Sequence, residues 1–190
     1  MSASLILASQ SPRRRELLAM LGIPFEVQSS QAEESTQSAA GPNPLAQENA
    51  RLKALDIATA HPDRWVLGSD TVVALGDESF GKPASMQEAV TMLEALQGKT
   101  HQVFTGVCLV NLAMKKEKLW SEVTNVSFRP LNIDQIKRYL GQMNPLDKAG
   151  AYAIQDGGEQ IVSRVEGSLS NVVGLPLESV EQALEDLGIQ

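Results

Sequence analysis

Residues 9–15 place three consecutive arginines directly after a proline, in a pattern typical of a helix N-terminus. Such a terminus carries unpaired N–H groups and a partial positive charge, so cations are normally unfavourable there. A bound phosphate would reverse that cost, because N–H and guanidinium groups both match phosphate oxygens. Since successive helical residues point about 100° apart, we expect Arg13 and Arg14 to bind a phosphate and Arg15 to face solvent or an acidic neighbour. The alternative is a solvated arginine run that pairs with Glu16 and other surface carboxylates.

One carboxylate, Asp70, lies within an otherwise apolar stretch at residues 65–75. Its burial is unfavourable unless it meets a metal ion, a cation or several hydrogen-bond donors. Asp70 is therefore a candidate to hold a Mg²⁺-like ion or to activate a water molecule. A metal ion would need a second carboxylate, and Glu33 and Glu34 in the preceding polar loop are candidates. Alternatively, Asp70 caps a turn at a strand end, and both glutamates are ordinary solvated acids.

Two lysines and a glutamine complete the candidate set. Lys82 lies in a Gly-Lys-Pro turn, and Lys53 lies on a predicted helix near Arg51. Gln155 presents an acceptor beside donors, which matches the adjacent carbonyl and N–H groups of a uracil or thymine ring. Taken singly, each of the three has a plainer explanation as a solvent-exposed side chain.

Composition and missing motifs disfavour several classes of protein. The 190 residues carry a formal net charge of −7, which opposes binding to nucleic acid polymers or anionic membranes. No apolar run approaches the roughly 20 residues that span a bilayer, and the first residues lack a signal-peptide pattern. Cys108 is the single cysteine, and P-loop, dinucleotide-binding and CxxC motifs are absent. We therefore expect a cytoplasmic protein without an intramolecular disulfide.

Alternating strands and helices must position these residues. Strands are predicted at 5–8, 25–28, 65–75, 103–112, 123–128, 149–154 and 161–165, with residues 68–71 interrupting the third. Helices are predicted from Ser11 to Gly22, from Asn43 to just before Pro62, from Ser85 to Gly98, from Asn132 to Met143, and after Pro176. No long linker, repeat or low-complexity segment separates them. The pattern predicts a single α/β domain over residues 1–190 with a mixed sheet, because some connections are as short as hairpins and others are helical.

Six motifs occur in order along the chain, at residues 7–15, 68–72, 81–83, 105–106, 147–152 and 171–177. Together they resemble the Maf family of nucleoside triphosphate pyrophosphatases, essentially from end to end. The resemblance implies an inosine-triphosphatase-like fold, in which helices flank a mixed twisted sheet and a deep cleft lies between two lobes. It also implies dependence on a divalent metal ion, Mg²⁺ or Mn²⁺, and release of pyrophosphate from a nucleotide.

The resemblance further implies roles for single residues. Asp70 corresponds to the family's proton acceptor, and Glu34 is expected to support the metal ion with it. The substrate-binding residues implied are Ser9, Arg13, Arg14, Lys53, Thr71, Lys82 and Gln155. Three of these positions select the substrate in the family, and Arg13, Thr71 and Gln155 are similar to the dTTP/UTP pyrophosphatases. The branch that acts on 7-methyl-GTP typically has an aromatic residue, glutamine and glutamate instead.

Two positions depart from the family pattern. Leu52 stands where a glutamate is frequent, so that a carboxylate ligand is either missing or supplied by Glu48. Leu169 stands where an aromatic residue is common, which would loosen a wall of the cleft.

The resemblance predicts hydrolysis of dTTP and UTP to the monophosphate and pyrophosphate, which limits incorporation of excess or non-standard nucleotides. It leaves a homodimer open. Two alternatives are the same chemistry on a modified nucleotide such as 7-methyl-GTP, and a nucleotide-binding regulator of cell division.

Overall fold

The computed structural model describes residues 5–189, whose strands form one seven-stranded sheet. The strands are β1 (Leu5–Ala8), β2 (Phe25–Gln28), β3 (Trp65–Leu75), β4 (Glu78–Phe80), β5 (Thr100–Asn111), β6 (Lys116–Phe128) and β7 (Val162–Glu166). The helices are α1 (Pro12–Ala19), α2 (Pro42–Ala60), α3 (Met86–Leu96), α4 (Ile133–Leu140), α5 (Leu169–Val173) and α6 (Leu177–Asp186). Among these helices, none has both the length and the apolar character that crossing a membrane requires.

The sheet is mixed, and its strands run in the order β2-β1-β3-β5-β6-β7, with β4 paired to β3. The pairs β1–β2 and β1–β3 are parallel, whereas β3–β4, β3–β5, β5–β6 and β6–β7 are antiparallel. The parallel pairs are joined through helices, and the antiparallel pair β5–β6 is joined by a tight turn. The α/β class with a mixed sheet, expected from the sequence, is confirmed.

Polar side chains begin three helices where the sequence predicts them. Ser11, Ser85 and Asn132 each accept a hydrogen bond from the backbone N–H three residues later, which satisfies a donor that the helix leaves unpaired. Helix α2 has no such side-chain cap and begins at Pro42, one residue before the predicted start.

Other local predictions are wrong. Residues 149–154 do not form a strand, because Gly150 and Ala151 have φ angles of 69° and 60°, in the left-handed region that a strand excludes. Residues 68–71 do not interrupt β3, which is continuous. Helix α5 was not predicted at all.

Helix α2 packs unusually close to the sheet at two glycines. A Cβ atom on Gly68 would lie 2.8 Å from the Cβ of Ala54, and one on Gly106 would lie 2.6 Å from the backbone nitrogen of Gln47. Side chains at these two positions would push the helix away. The glycines therefore bring α2 within reach of side chains on β3.

A buried histidine lies in the core beside α4. His101 is 1% exposed and packs edge-on against Phe128 and Tyr152, with its Nε2 2.9 Å from the Tyr152 hydroxyl. Its Nδ1 has no hydrogen-bond partner among residues 5–189. Burial lowers the pKa of His101 to about 4, so the ring is neutral in the folded protein at neutral pH.

This burial predicts a loss of stability in acid. The folded-state pKa of His101 lies below the usual 6.5. The stability that the fold has with a neutral ring is therefore fully present above pH 6.5 and is lost as the pH falls towards 4. The loss from this group is about 3 kcal/mol of unfolding free energy between pH 7.5 and 4. Urea denaturation across that range should show a smaller decrease for His101→Gln than for the wild type. Equal decreases in both proteins would show that protonation of His101 does not cause the loss of stability in acid.

Candidate active site

A cavity of about 380 Å³ opens where the parallel strands end. Eight of the nine site residues that the family resemblance implies line it, namely Ser9, Arg13, Arg14, Glu34, Lys53, Asp70, Thr71 and Lys82. The ninth, Gln155, is exposed and lies two residues beyond Ala153, which does line the cavity. The role of Gln155 in recognising a base therefore stays a prediction.

The register of β1 and β3 explains where the cavity forms. Ala8, the last residue of β1, pairs with Gly68, so the parallel strand β3 continues beyond the end of its neighbour. Asp70 and Thr71 lie on this extension, and Ser9 lies at the end of β1. Ligands of α/β proteins bind characteristically at the carboxyl ends of parallel strands.

The carboxylate of Asp70 points towards α2. Side chains alternate between the faces of a strand, so Asp70 lies on the same face as Gly68, against which α2 packs. The Nζ of Lys53 lies 2.7 Å from Oδ1 of Asp70, and Nδ2 of Asn49 donates to Oδ2 at 3.0 Å. Burial would raise the pKa of Asp70, but the charges of Lys53 and then Arg14, together with these hydrogen bonds, hold it below its ordinary value. The group is therefore an ionised carboxylate at neutral pH.

A second carboxylate meets the same ammonium group. Oε2 of Glu34 lies 2.9 Å from Nζ of Lys53, so Asp70 and Glu34 converge on one cationic position. Among residues 5–189, no group of three or more His, Cys, Asp or Glu side chains forms a complete metal cage. Mg²⁺ is, however, commonly bound through one or two carboxylates together with substrate phosphates. The two carboxylates fit that donor set.

The two arginines of the first motif differ in their surroundings. Nε of Arg14 donates to the carbonyl of Gly174 at 2.8 Å, and its NH2 donates to the Thr71 hydroxyl at 3.0 Å. Burial lowers the pKa of Arg14, against the opposing influence of Asp70 and Glu34. This side chain connects α1 to β3 and to the turn after α5.

Arg13 has fewer protein partners than Arg14. It makes one ion pair, in which its NH1 lies 3.6 Å from Oδ2 of Asp147, another residue that lines the cavity. Arg15 is exposed, as expected. Arg13 is thus the arginine of this motif best able to exchange a protein carboxylate for a phosphate.

Thr71 is held by hydrogen bonds on two sides. Its hydroxyl lies 3.0 Å from that of Thr105, which itself donates to the carbonyl of Asn171 at 2.9 Å. Because the Thr105 proton is used in that bond, Thr71 must donate to Thr105 while it accepts from Arg14. The orientation of Thr71 is therefore fixed.

Sequence reasoning gave no individual role to two buried polar residues in this region, although Lys148 lies within the motif at residues 147–152. Asn49 is 2% exposed and contacts Asp70, and Lys148 is 6% exposed, lines the cavity and donates to the Asn144 carbonyl and to Asp147. The spacing of Asn49 four residues before Lys53, on one helix face, could have pointed to it. Leu52 and Leu169, which depart from the family pattern, are both exposed, as is Glu48, and none of the three lines the cavity.

Comparison with known proteins assigns the chain to a family. A family model described as Maf-like protein matches residues 4–187. The chain belongs to the Maf-like family. This Maf-like chain is 41% identical to a dTTP/UTP pyrophosphatase of Desulforamulus reducens, over 98% of its own length and 97% of the relative's. It is 47% identical to a dTTP/UTP pyrophosphatase of Myxococcus xanthus, over 97% and 93%, and 45% identical to one of Moorella thermoacetica, over 98% and 96%.

A solved structure supports the fold. The Ham1 protein of Staphylococcus aureus superimposes on the Maf-like chain with a TM-score of 0.53, at 13% identity, over 96% of this chain and 98% of that one. At this identity the similarity concerns the fold alone, and it confirms the inosine-triphosphatase-like fold that the sequence resemblance implies.

Proposed function

We propose that this Maf-like protein is a nucleoside triphosphate pyrophosphatase that hydrolyses dTTP and UTP to the monophosphate and pyrophosphate, with a divalent metal ion. The observation that carries the proposal is the convergence of Asp70 and Glu34 on Lys53, in a cavity that Arg13 and Lys82 also line. A site that only bound a nucleotide would have no need of a buried carboxylate, Asp70, beside phosphate-binding cations. Relatives named dTTP/UTP pyrophosphatase, 41–47% identical over nearly the whole chain, support the same activity.

Asp70 is the residue that handles the proton. Its carboxylate is ionised, and Lys53 and Asn49 each hold one of its oxygens, which leaves further lone pairs to orient a water molecule. The oxygen of that water attacks a phosphorus of the α–β anhydride, its proton passes to Asp70, and the bond to the bridging oxygen breaks.

Cations around the cavity stabilise the negative charge of the substrate and of the leaving pyrophosphate. Arg13 and Lys82 line the wall where a triphosphate would lie, and Lys53 is next to Asp70. A Mg²⁺ or Mn²⁺ ion held by Asp70 and Glu34 would add positive charge close to the negative charge that develops on the phosphates.

The choice of dTTP and UTP rests on three positions. Arg13, Thr71 and Gln155 agree with the dTTP/UTP branch of the family, and the amide of Gln155 can pair with the imide edge of uracil or thymine. In a cytoplasmic setting, this activity would limit the incorporation of excess or non-standard nucleotides.

A nucleotide panel tests the proposal. Purified protein is incubated with dTTP, UTP, dCTP, ATP, GTP and 7-methyl-GTP, with Mg²⁺ or with EDTA, and pyrophosphate and monophosphate are quantified. We expect equimolar products from dTTP and UTP, with Mg²⁺ only. Preference for 7-methyl-GTP would replace dTTP and UTP as the proposed substrates. Tight binding of dTTP without any product would favour the alternative of a nucleotide-binding regulator of cell division.

A further inference from the structure

The loop at residues 29–41 carries Glu34 but contains no helix or strand of its own. It joins β2 to α2, and a segment of this length must be anchored if a carboxylate on it is to hold a fixed position. Its anchors therefore decide where Glu34 lies relative to Asp70.

Three successive points along α2 supply these anchors. Asp56 accepts hydrogen bonds at 2.8 Å from the Ser30 hydroxyl and the Gln31 N–H. One turn earlier in the helix, Lys53 pairs with Glu34, and one turn before that lies Asn49. Spacings of three and four residues place Asp56, Lys53 and Asn49 on one face of the helix.

Asn49 makes the densest set of contacts of the three. Its Oδ1 accepts from the N–H of Ser35 at 2.8 Å, and its Nδ2 donates to the carbonyl of Ser35 at 2.9 Å. The same Nδ2 donates to Oδ2 of Asp70 at 3.0 Å. One side-chain amide thus binds both backbone groups of the residue after Glu34 and one oxygen of Asp70.

We propose that Asn49 is a positioning residue, which fixes the Glu34 loop relative to Asp70 and so sets the separation of the two carboxylates. Lys53 brings a charge as well as a hydrogen bond to the carboxylates, whereas Asn49 is neutral and acts only through directed hydrogen bonds that define where each group lies. Asn49 is 2% exposed, so water does not readily replace these bonds.

Asn49→Leu removes all three hydrogen bonds at nearly constant volume. We expect hydrogen exchange at the Ser35 amide, and in peptides covering residues 29–41, to be about tenfold faster or more than in the wild type. The measurement is made without nucleotide or metal ion, so it does not depend on activity. In the presence of dTTP, we expect kcat to fall about tenfold and the Mg²⁺ concentration for half-maximal activity to rise similarly, with KM for dTTP changing much less.

Asn111→Leu is the matched control. Asn111 is also 2% exposed, and its amide also binds two backbone groups, the carbonyl of Asp63 and the N–H of Met114, but outside the cavity. It should lower the unfolding temperature without changing exchange in residues 29–41 or the Mg²⁺ requirement. Equal effects of both variants on the loop would reduce Asn49 to a general contributor to stability and overturn the inference.

Asn49→Asp supplies the test if the leucine variant does not fold. Aspartate keeps the oxygen that accepts from Ser35 N–H, but it cannot donate to the Ser35 carbonyl or to Asp70. We expect the rate of hydrogen exchange in residues 29–41 to lie between that of the wild type and that of a detached loop, and kcat to fall about tenfold. Wild-type exchange and kinetics in this variant would overturn the inference. The kinetic part rests on the proposed function, whereas the exchange part does not, so an inactive wild type would contradict only the former.

Discussion

Asp70→Asn should abolish turnover of dTTP and UTP, with kcat lowered by about 10²–10⁴-fold. Asparagine has the same shape but cannot accept the proton of the attacking water or contribute charge to a metal site. It still accepts one hydrogen bond from Lys53 or Asn49, and Lys53 keeps its ion pair with Glu34. The fold should therefore persist while the chemistry is lost.

The measurement combines pyrophosphate release with circular dichroism and thermal unfolding of the same preparation. Asp186→Asn is a suitable control, because it removes another ion-paired carboxylate, from an exposed pair with Lys118. That control should retain wild-type kcat and KM. Near-normal turnover by Asp70→Asn would remove Asp70 from the catalytic role.

Local signals explain why the first motif was predicted well. Ser11 and Pro12 determine the start of α1 through capping and a fixed φ angle, which depend only on neighbouring residues. Asp70 was identifiable because a charge in an apolar stretch requires a partner wherever the strand lies. Such features are properties of a short segment and do not depend on the rest of the fold.

Features that depend on distant contacts were not predictable in the same way. The division of roles between Arg13 and Arg14 follows from the carbonyl of Gly174, which lies 160 positions away in the sequence from Arg14. Gly150 and Ala151 are left-handed in a loop whose Gly150 lies close to Val73, whereas the apolar composition of residues 149–154 predicted a strand. A single sequence does not specify these pairings.

Lys53→Met should cost more stability than any surface substitution. The change leaves Asp70 buried and facing Glu34 without the ammonium group between them. Removing one partner of a buried ion pair typically costs about 3–5 kcal/mol, which for a domain of this size lowers the unfolding temperature by roughly 10 °C. Lys118→Met, which breaks an exposed pair with Asp186, should cost less than about 1 kcal/mol.

The pH dependence of this loss distinguishes charge from packing. In the wild type the pKa of Asp70 is held below 3.8, so the ionised group stabilises the fold above that pH and the contribution is lost as pH falls through the folded-state pKa. Without Lys53, desolvation, the largest of the influences on Asp70, should raise the pKa above 3.8. The contribution of Asp70 to the unfolding free energy then changes with pH in the opposite direction. A carboxylate with a raised folded-state pKa gives stability that is present in acid and lost as pH rises.

The difference in unfolding free energy between wild type and Lys53→Met should therefore be smaller at pH 4 than at pH 7.5, because the destabilisation by the unpaired carboxylate develops as the pH rises through its raised pKa. Urea denaturation in EDTA measures it without any contribution from metal ions. Adding Mg²⁺ should then stabilise the variant more than the wild type, because a divalent cation can take the position between the two carboxylates that the ammonium group has left. A difference that stayed constant with pH would mean that Lys53 acts through the packing of its aliphatic chain, and the electrostatic account of the site would be wrong.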